Sequence, residues 1–205
     1  MTIKKLHYYS GLVLSIFIAL HLFNHFYSIF GTQKHIEMMD SLRPWYRNIF
    51  AETVLLIAVG VQIVSGIRLF KINRKQATSS FEKLHIYTGL YLALFLVIHL
   101  SAVFIGRLVL HLDTNFYFGV AGINAFPFNL FFIPYYALAI LSFFGHIAVI
   151  HQKKMRLTFF GINPKTQART ILLAGALLTI VIFYGLTNSF QGVQIPEAYR
   201  VLIGK

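Results

Sequence analysis

The chain has no cysteine among its 205 residues. Disulfides, thiolate metal sites and cysteine nucleophiles are thereby excluded. Charge is scarce too. Only 12% of residues are charged and 57% are hydrophobic, which makes the chain far more apolar than an average soluble domain. Acidic residues number six, and none stands beside a second one. Once the long apolar runs are set aside, no soluble domain fits in what remains.

Five apolar stretches approach or exceed the roughly 20 residues needed to cross a bilayer. They fall at about 9–30, 51–72, 84–107, 130–151 and 170–189. Lipid offers the backbone no hydrogen-bond partners, so the stretches are helices and the fold class is an all-α integral membrane protein. A single transmembrane domain over 1–205 is expected. The first stretch is too long, and lacks the small-residue cleavage site, to be a removable signal peptide. Pro134 is expected in the first turn of the fourth helix, where proline is tolerated.

The formal net charge of +12 reads as topology. Under the five-helix reading 12 of the 18 Lys and Arg lie on one side. They are Lys4 and Lys5, the five between Arg68 and Lys83, and the five between Lys153 and Arg169. The positive-inside rule then puts the N-terminus in the cytoplasm of a multi-pass protein of the cytoplasmic membrane. Anionic lipid or an acidic soluble partner is a further outlet for that charge.

What the chain does have is a repeat. Lys5-Leu6-His7-Tyr8-Tyr9-Ser10-Gly11 through His21-Leu22 recurs as Lys83-Leu84-His85-Ile86-Tyr87-Thr88-Gly89 through His99-Leu100, with 10 of 18 positions identical at an offset of 78. On the helix scale the repeat runs 5–76 and 83–154. His21 and His99 lie about 21 Å along their helices from His7 and His85, in the outer half of the membrane. Histidine in lipid is costly and faces a bundle interior or a cofactor. Two parallel helices offering an imidazole at one depth can supply both axial ligands of a haem iron. The competing reading is a pair of buried, hydrogen-bonded histidines. Depth, repetition and level favour the ligand pair.

The remaining histidines have plainer readings. His25, one turn beyond His21 on the same face, is expected beside the haem, bonded to a propionate or a loop carbonyl. His7 and His85 read as interfacial residues, His35 and His111 as solvated loop residues, and His151 as a headgroup-level residue. His146 sits near the inner end of the fourth helix. With Arg68, Tyr9 and Tyr87 it is a candidate lining for an inner polar pocket, for a quinone or a second haem; snorkelling is the competing role for Arg68. Gly11 and Gly89 read as close helix-packing positions. The outer loop 31–50 has the Met and Leu spacing of a short amphipathic helix anchored by Trp45 and Tyr46. The aromatic segment 108–129 is expected to fold back over the bundle mouth.

Leu6-His7…Gly11…His21, Leu84-His85…Gly89…His99 and the Gly66-Ile67-Arg68 ending of the second helix together resemble one family. The chain is similar to the five-helix cytochrome b membrane anchors of succinate:quinone and fumarate:quinone oxidoreductases. The resemblance covers nearly the whole chain. It implies a four-helix haem-binding bundle with one peripheral helix, haem b, a quinone, and flavoprotein and iron–sulfur partner subunits. In two-haem members the outer haem is held by the first and third helices, here His21 and His99. The inner one is held by a histidine four residues before a glycine on the second and fourth helices. Here those positions are Gln62 before Gly66 and Leu141 before Gly145. The resemblance therefore implies one haem, with His146 a turn from its expected place.

Three function classes follow. The first is a non-catalytic haem b electron-transfer and anchoring subunit. The second is a metal-dependent membrane enzyme, suggested by the His-x3-His spacing of His21 and His25; the further histidine clusters and acidic ligands it needs are missing from the sequence. The third is a haem-free anchor or assembly subunit of a larger membrane complex.

Overall fold

The computed structural model describes residues 2–204. Among them it is all-helical. Helix α1 is Ile3–Phe26, followed by a 3-10 turn, Tyr27–Phe30. Then come α2, Thr32–Tyr46, and α3, Ile49–Asn73. α4 is Ser80–Phe104 and continues as a π turn, Ile105–Val109. A five-residue helix α5, Phe116–Val120, precedes α6, Asn129–Lys154, and α7, Pro164–Leu186. A 3-10 stretch, Glu197–Ile203, ends the described chain.

Five of these elements are long and apolar enough to cross a membrane: Ile3–Phe30, Ile49–Asn73, Ser80–Val109, Asn129–Lys154 and Pro164–Leu186. They are the five expected spans, but several begin up to six residues earlier than the apolar runs do. Side-chain caps explain it for α3, α4 and α7, whereas the N-cap Thr2 of α1 makes no such bond. Asn163 accepts the N–H of Thr166 at 3.0 Å and Pro164 follows at the first helical position. Ser79 and Glu82 form a reciprocal capping box. Asn48 accepts the N–H of Ala51 at 2.9 Å. Each cap stabilises its helix by about 1 kcal/mol, so polar first turns stay helical. α6 begins at Asn129, one residue before the expected start, so Pro134 is its sixth residue, just past the first turn.

α1 packs on α3, α3 on α4, α4 on α6, and α6 on α7. α7 also packs on α1 and on the Tyr27–Phe30 turn. The fifth long helix therefore closes the side between α6 and α1 and does not stand outside a four-helix bundle. We call the end where α1 begins proximal and the end where it finishes distal. Lipid tails are as apolar as the side chains, so close approach and polar bonds hold such helices together more than apolar burial does. A Cβ on Gly185 of α7 would lie 2.7 Å from the backbone nitrogen of Ile29; only glycine lets α7 meet the turn after α1 there. The side chains of Ile16, Ile57, Val64, Leu173 and Ile180 point outward and form part of the lipid-contacting surface.

The distal end is capped by the short elements. Phe116, Val120 and Ile123 are buried with Leu22, Ile140, Ile182, Phe183 and Leu186, so segment 108–129 does fold over the bundle. α2 presents His35 and Met39 inward and leaves Trp45 exposed, the amphipathic pattern expected of it. Arg43 reaches across to Asp113, with Nη2 2.6 Å from Oδ1, and the hydroxyl of Tyr199 donates to the Asp113 carbonyl at 3.1 Å.

Candidate functional site

Two groups of imidazoles lie inside the bundle, one at each end. The distal group contains His21 and His25 of α1, His35 of α2 and His99 of α4. The ring centres of His21 and His99 are 6.2 Å apart, with planes inclined at 70°. Each ring is backed by a phenylalanine one helical turn earlier. Phe17 stacks on His21 at 5.7 Å and 24°, and Phe95 on His99 at 5.1 Å and 13°. Phe17 and Phe95 are equivalent positions of the repeat, so its identity there has a physical cause. Residues i and i+4 lie one above the other on a helix, and both copies use that to fix the ring of the deep histidine. Tyr136 of α6 presents its edge to His99 at 6.4 Å.

His25 links this pair to α2. Its Nε2 is 3.2 Å from His21 Nε2, and its Nδ1 is 3.4 Å from His35 Nε2. Asn24 Nδ2 is 3.3 Å from His35 Nε2. His35 was read from the sequence as solvated, and this is corrected: it is 2% exposed, against Phe116 of α5. The apolar side of α2 needs something at the position one turn before Met39, and His35 stands there. That spacing was the available signal. Burial, and then the nearby His21, hold the His35 pKa down to about 4. His111 is exposed, in line with its reading.

The proximal group was not foreseen. His7 and His85, read as interfacial, turn inward, where they meet His146 of α6. His85 stacks on His146 at 4.2 Å and 15°. His7 stands edge-on to His146 with ring centres 6.4 Å apart and planes at 74°. His7 Nδ1 is 2.8 Å from Ser65 Oγ of α3, and His146 Nδ1 donates to the carbonyl of His85 at 3.2 Å. A Cβ on Gly89 would be 3.1 Å from His146 Cε1, and one on Gly11 would strike the amide of Gln62. The two repeat glycines are therefore close-packing positions, as expected, and Gly89 makes the room for an imidazole. Gln62 donates to the carbonyl of His7 at 2.9 Å. His151 binds Gln167 Oε1 at 2.7 Å.

Other expected pocket residues go elsewhere. Arg68 is exposed on α3, and Tyr9 and Tyr87 are exposed at 55% and 62%, whereas His146 faces the interior. A surface hollow of about 550 Å³ at the distal end, lined by Thr32, Tyr117 and Asn188 among others, contains none of the histidines.

The donor geometry can be tested for fit. Two metal–imidazole bonds of about 2.0 Å, with roughly 1.1 Å from each nitrogen to its ring centre, put the centres of a trans pair about 6 Å apart. His21 and His99 meet that separation from opposite helices. Among the described residues no group of three or more His, Cys, Asp or Glu is arranged to hold a bare metal ion. A trans pair suits an iron whose other positions are filled by a flat macrocycle. One feature opposes immediate ligation: His21 directs Nε2 at His25, so coordination through Nε2 requires the ring to turn away. Comparison with protein-family models, curated proteins and solved structures returns no match.

Proposed function

We propose that the chain is a b-type haem-binding membrane anchor and electron-transfer subunit of a quinone-linked oxidoreductase, similar to the cytochrome b subunit of succinate dehydrogenase. His21 and His99 would hold the haem iron. The reading is carried by the 6.2 Å separation of their ring centres, at matched repeat positions on α1 and α4. The haem would supply single-electron transfer, because an imidazole from each of two helices would leave no position for oxygen or substrate. Phe17 and Phe95 hold the imidazole planes. His25 lies beside His21, as a hydrogen-bond partner for a ligand or a carboxylate substituent. α5 and the distal aromatics keep water out, and a low dielectric raises the effect of every hydrogen bond on the potential. The N-terminus lies on the cytoplasmic side of the cytoplasmic membrane. The basic proximal end faces flavoprotein and iron–sulfur partner subunits. A quinone approaches from lipid on the side of Arg68, Tyr9 and Tyr87.

A second reading, a haem-free anchor or assembly subunit, is favoured by the direct His21–His25 bond at 3.2 Å, which already satisfies one nitrogen of His21. The visible spectrum of the purified full chain separates the two. Low-spin b-type bands support the first reading, and a colourless folded protein leaves the second.

A further inference from the structure

We propose that the turn between α6 and α7 is a binding site for anionic phospholipid, with Phe159 and Phe160 set among the headgroups and the basic side chains that flank them on the phosphates. Phe159 and Ile162 close a two-residue turn with paired backbone bonds. The N–H of Phe159 donates to the carbonyl of Ile162 at 3.1 Å, and the N–H of Ile162 to the carbonyl of Phe159 at 2.8 Å. The central residues, Phe160 and Gly161, lie at φ 47° and 76°. Positive φ at both central positions suits Asn-Gly or Gly-Gly. A phenylalanine there is strained, because its Cβ crowds the backbone. Such strain persists only where the surroundings over-determine the conformation, and here they do. Gln167 Nε2 donates to the carbonyls of Leu157 and Ile162 at 3.1 and 2.7 Å, and His151 Nε2 donates to Gln167 Oε1 at 2.7 Å. Asn163, the residue after the turn, caps α7. The turn is thus tied to the ends of both helices.

What this rigid turn presents is apolar. Phe160 is 94% exposed, and Leu157, Phe159 and Ile162 are exposed as well. The two phenylalanine rings meet edge to face with centres 5.9 Å apart and form one tip. In the chain the tip is flanked by five exposed cations, Lys153, Lys154, Arg156, Lys165 and Arg169. Lys154 Nζ sits over the Tyr8 ring at 3.4 Å. Among the described residues none of the five pairs with a carboxylate, so their charge is left for an anion from outside the chain. Position selects which anion. Phe160 is four residues from Pro164, where a membrane-length helix begins, so at most about 14 Å of chain separates them. The tip therefore stays beside the bilayer surface, where aromatic rings settle at headgroup level and each nearby cation attracts anionic lipid. Loop 74–79 between α3 and α4, which carries Arg74 and Lys75, is left for a soluble partner. A distal haem plays no part in this site.

The test follows the tip by fluorescence in the full chain, reconstituted in nanodiscs so that solutes reach both faces. Trp45→Phe removes the one native tryptophan, and Phe160→Trp puts a reporter on the tip, with Phe159→Trp as a second reporter. In discs containing phosphatidylglycerol the emission is expected at shorter wavelength than in discs of phosphatidylcholine alone, with weaker quenching by acrylamide and stronger quenching by brominated lipid. Lys165→Gln and Arg169→Gln each lower the affinity of the tip for phosphatidylglycerol about fivefold. Phe160→Asn suits the turn better, so it melts no lower than the unmodified chain, yet it immobilises less spin-labelled phosphatidylglycerol. A reporter equally buried in both kinds of disc overturns the anionic assignment. One equally exposed in both overturns the site and leaves the turn to an acidic soluble partner. Lower melting of Phe160→Asn with unchanged lipid binding gives the ring to the fold and also overturns the proposal.

Discussion

Arg107, in the π turn that extends α4, is paired with Glu52 of α3, its Nη1 2.5 Å from Oε1, and the two side chains are only 24% and 28% exposed. The pair lies at the end of an apolar helix contact, where an unpaired charge has little water to relax into. Arg107→Ala is expected to destabilise the protein by on the order of 3 kcal/mol. Removing both charges, as Arg107→Met with Glu52→Gln, recovers most of that loss. Unfolding in mixed detergent checks it. Equal losses in the single and double variants would show that the pair contributes packing and not charge compensation.

The proposed distal ligand pair would carry a spectral signature. His21→Ala and His99→Ala should each remove the same low-spin b-type component. His25→Ala should keep that component and shift its potential, because only a hydrogen bond beside the ligand is lost. Unchanged bands in both of the first two variants exclude His21 and His99 as ligands.

Five spans and the repeat were legible because apolar length and residue identity are properties of a linear string. The spans' starts were less so: Asn163-Pro164 and Ser79 with Glu82 hold polar turns in a helix by capping, a signal that hydropathy ignores. The partners of each histidine were not legible, because they depend on which side of each helix meets its neighbours. His7, Leu14 and His21 stand at steps of seven, nearly one face of α1, and Leu14 is 5% exposed. That spacing was enough to turn His7 inward. No comparable spacing links His146 to α1; its meeting with His7 is a product of packing between distant segments.

His35 should make stability pH-dependent. Its folded pKa, about 4, lies below the ordinary 6.5, so between those values the unfolded chain binds the extra proton and the native state does not. The contribution is fully present above pH 6.5 and is lost as pH falls towards 4. Its size is about 3 kcal/mol at most. Detergent unfolding at pH 7.5 and pH 4.5 should differ less in His35→Gln than in the unmodified protein. An identical difference in both would place the acid sensitivity elsewhere.

Orientation can be read directly, since the chain has no cysteine of its own. Ser41 of α2 and Thr158 of the α6–α7 loop are both exposed. In intact cells stripped of outer barriers, an impermeant maleimide should label Ser41→Cys, and Thr158→Cys only after lysis. The reverse pattern would invert the proposed topology.

The contact between Gly185 and the turn at Ser28 and Ile29 gives a third stability test. Gly185→Ala should cost roughly 1–3 kcal/mol by overpacking. Gly60→Ala, where a Cβ meets nothing within 4 Å, should be neutral or slightly stabilising. Comparable melting of the two variants would mean that the α7 seam yields freely.

That same contact runs against the order of synthesis. α1 leaves the ribosome before α7, yet the turn after α1 finds its neighbour in the final turns of α7. A nascent chain translated only through α6 still has an open seam between α1 and α6. The proposed haem would have that interval in which to reach His21 and His99 from the side, before residues 164–186 close the seam.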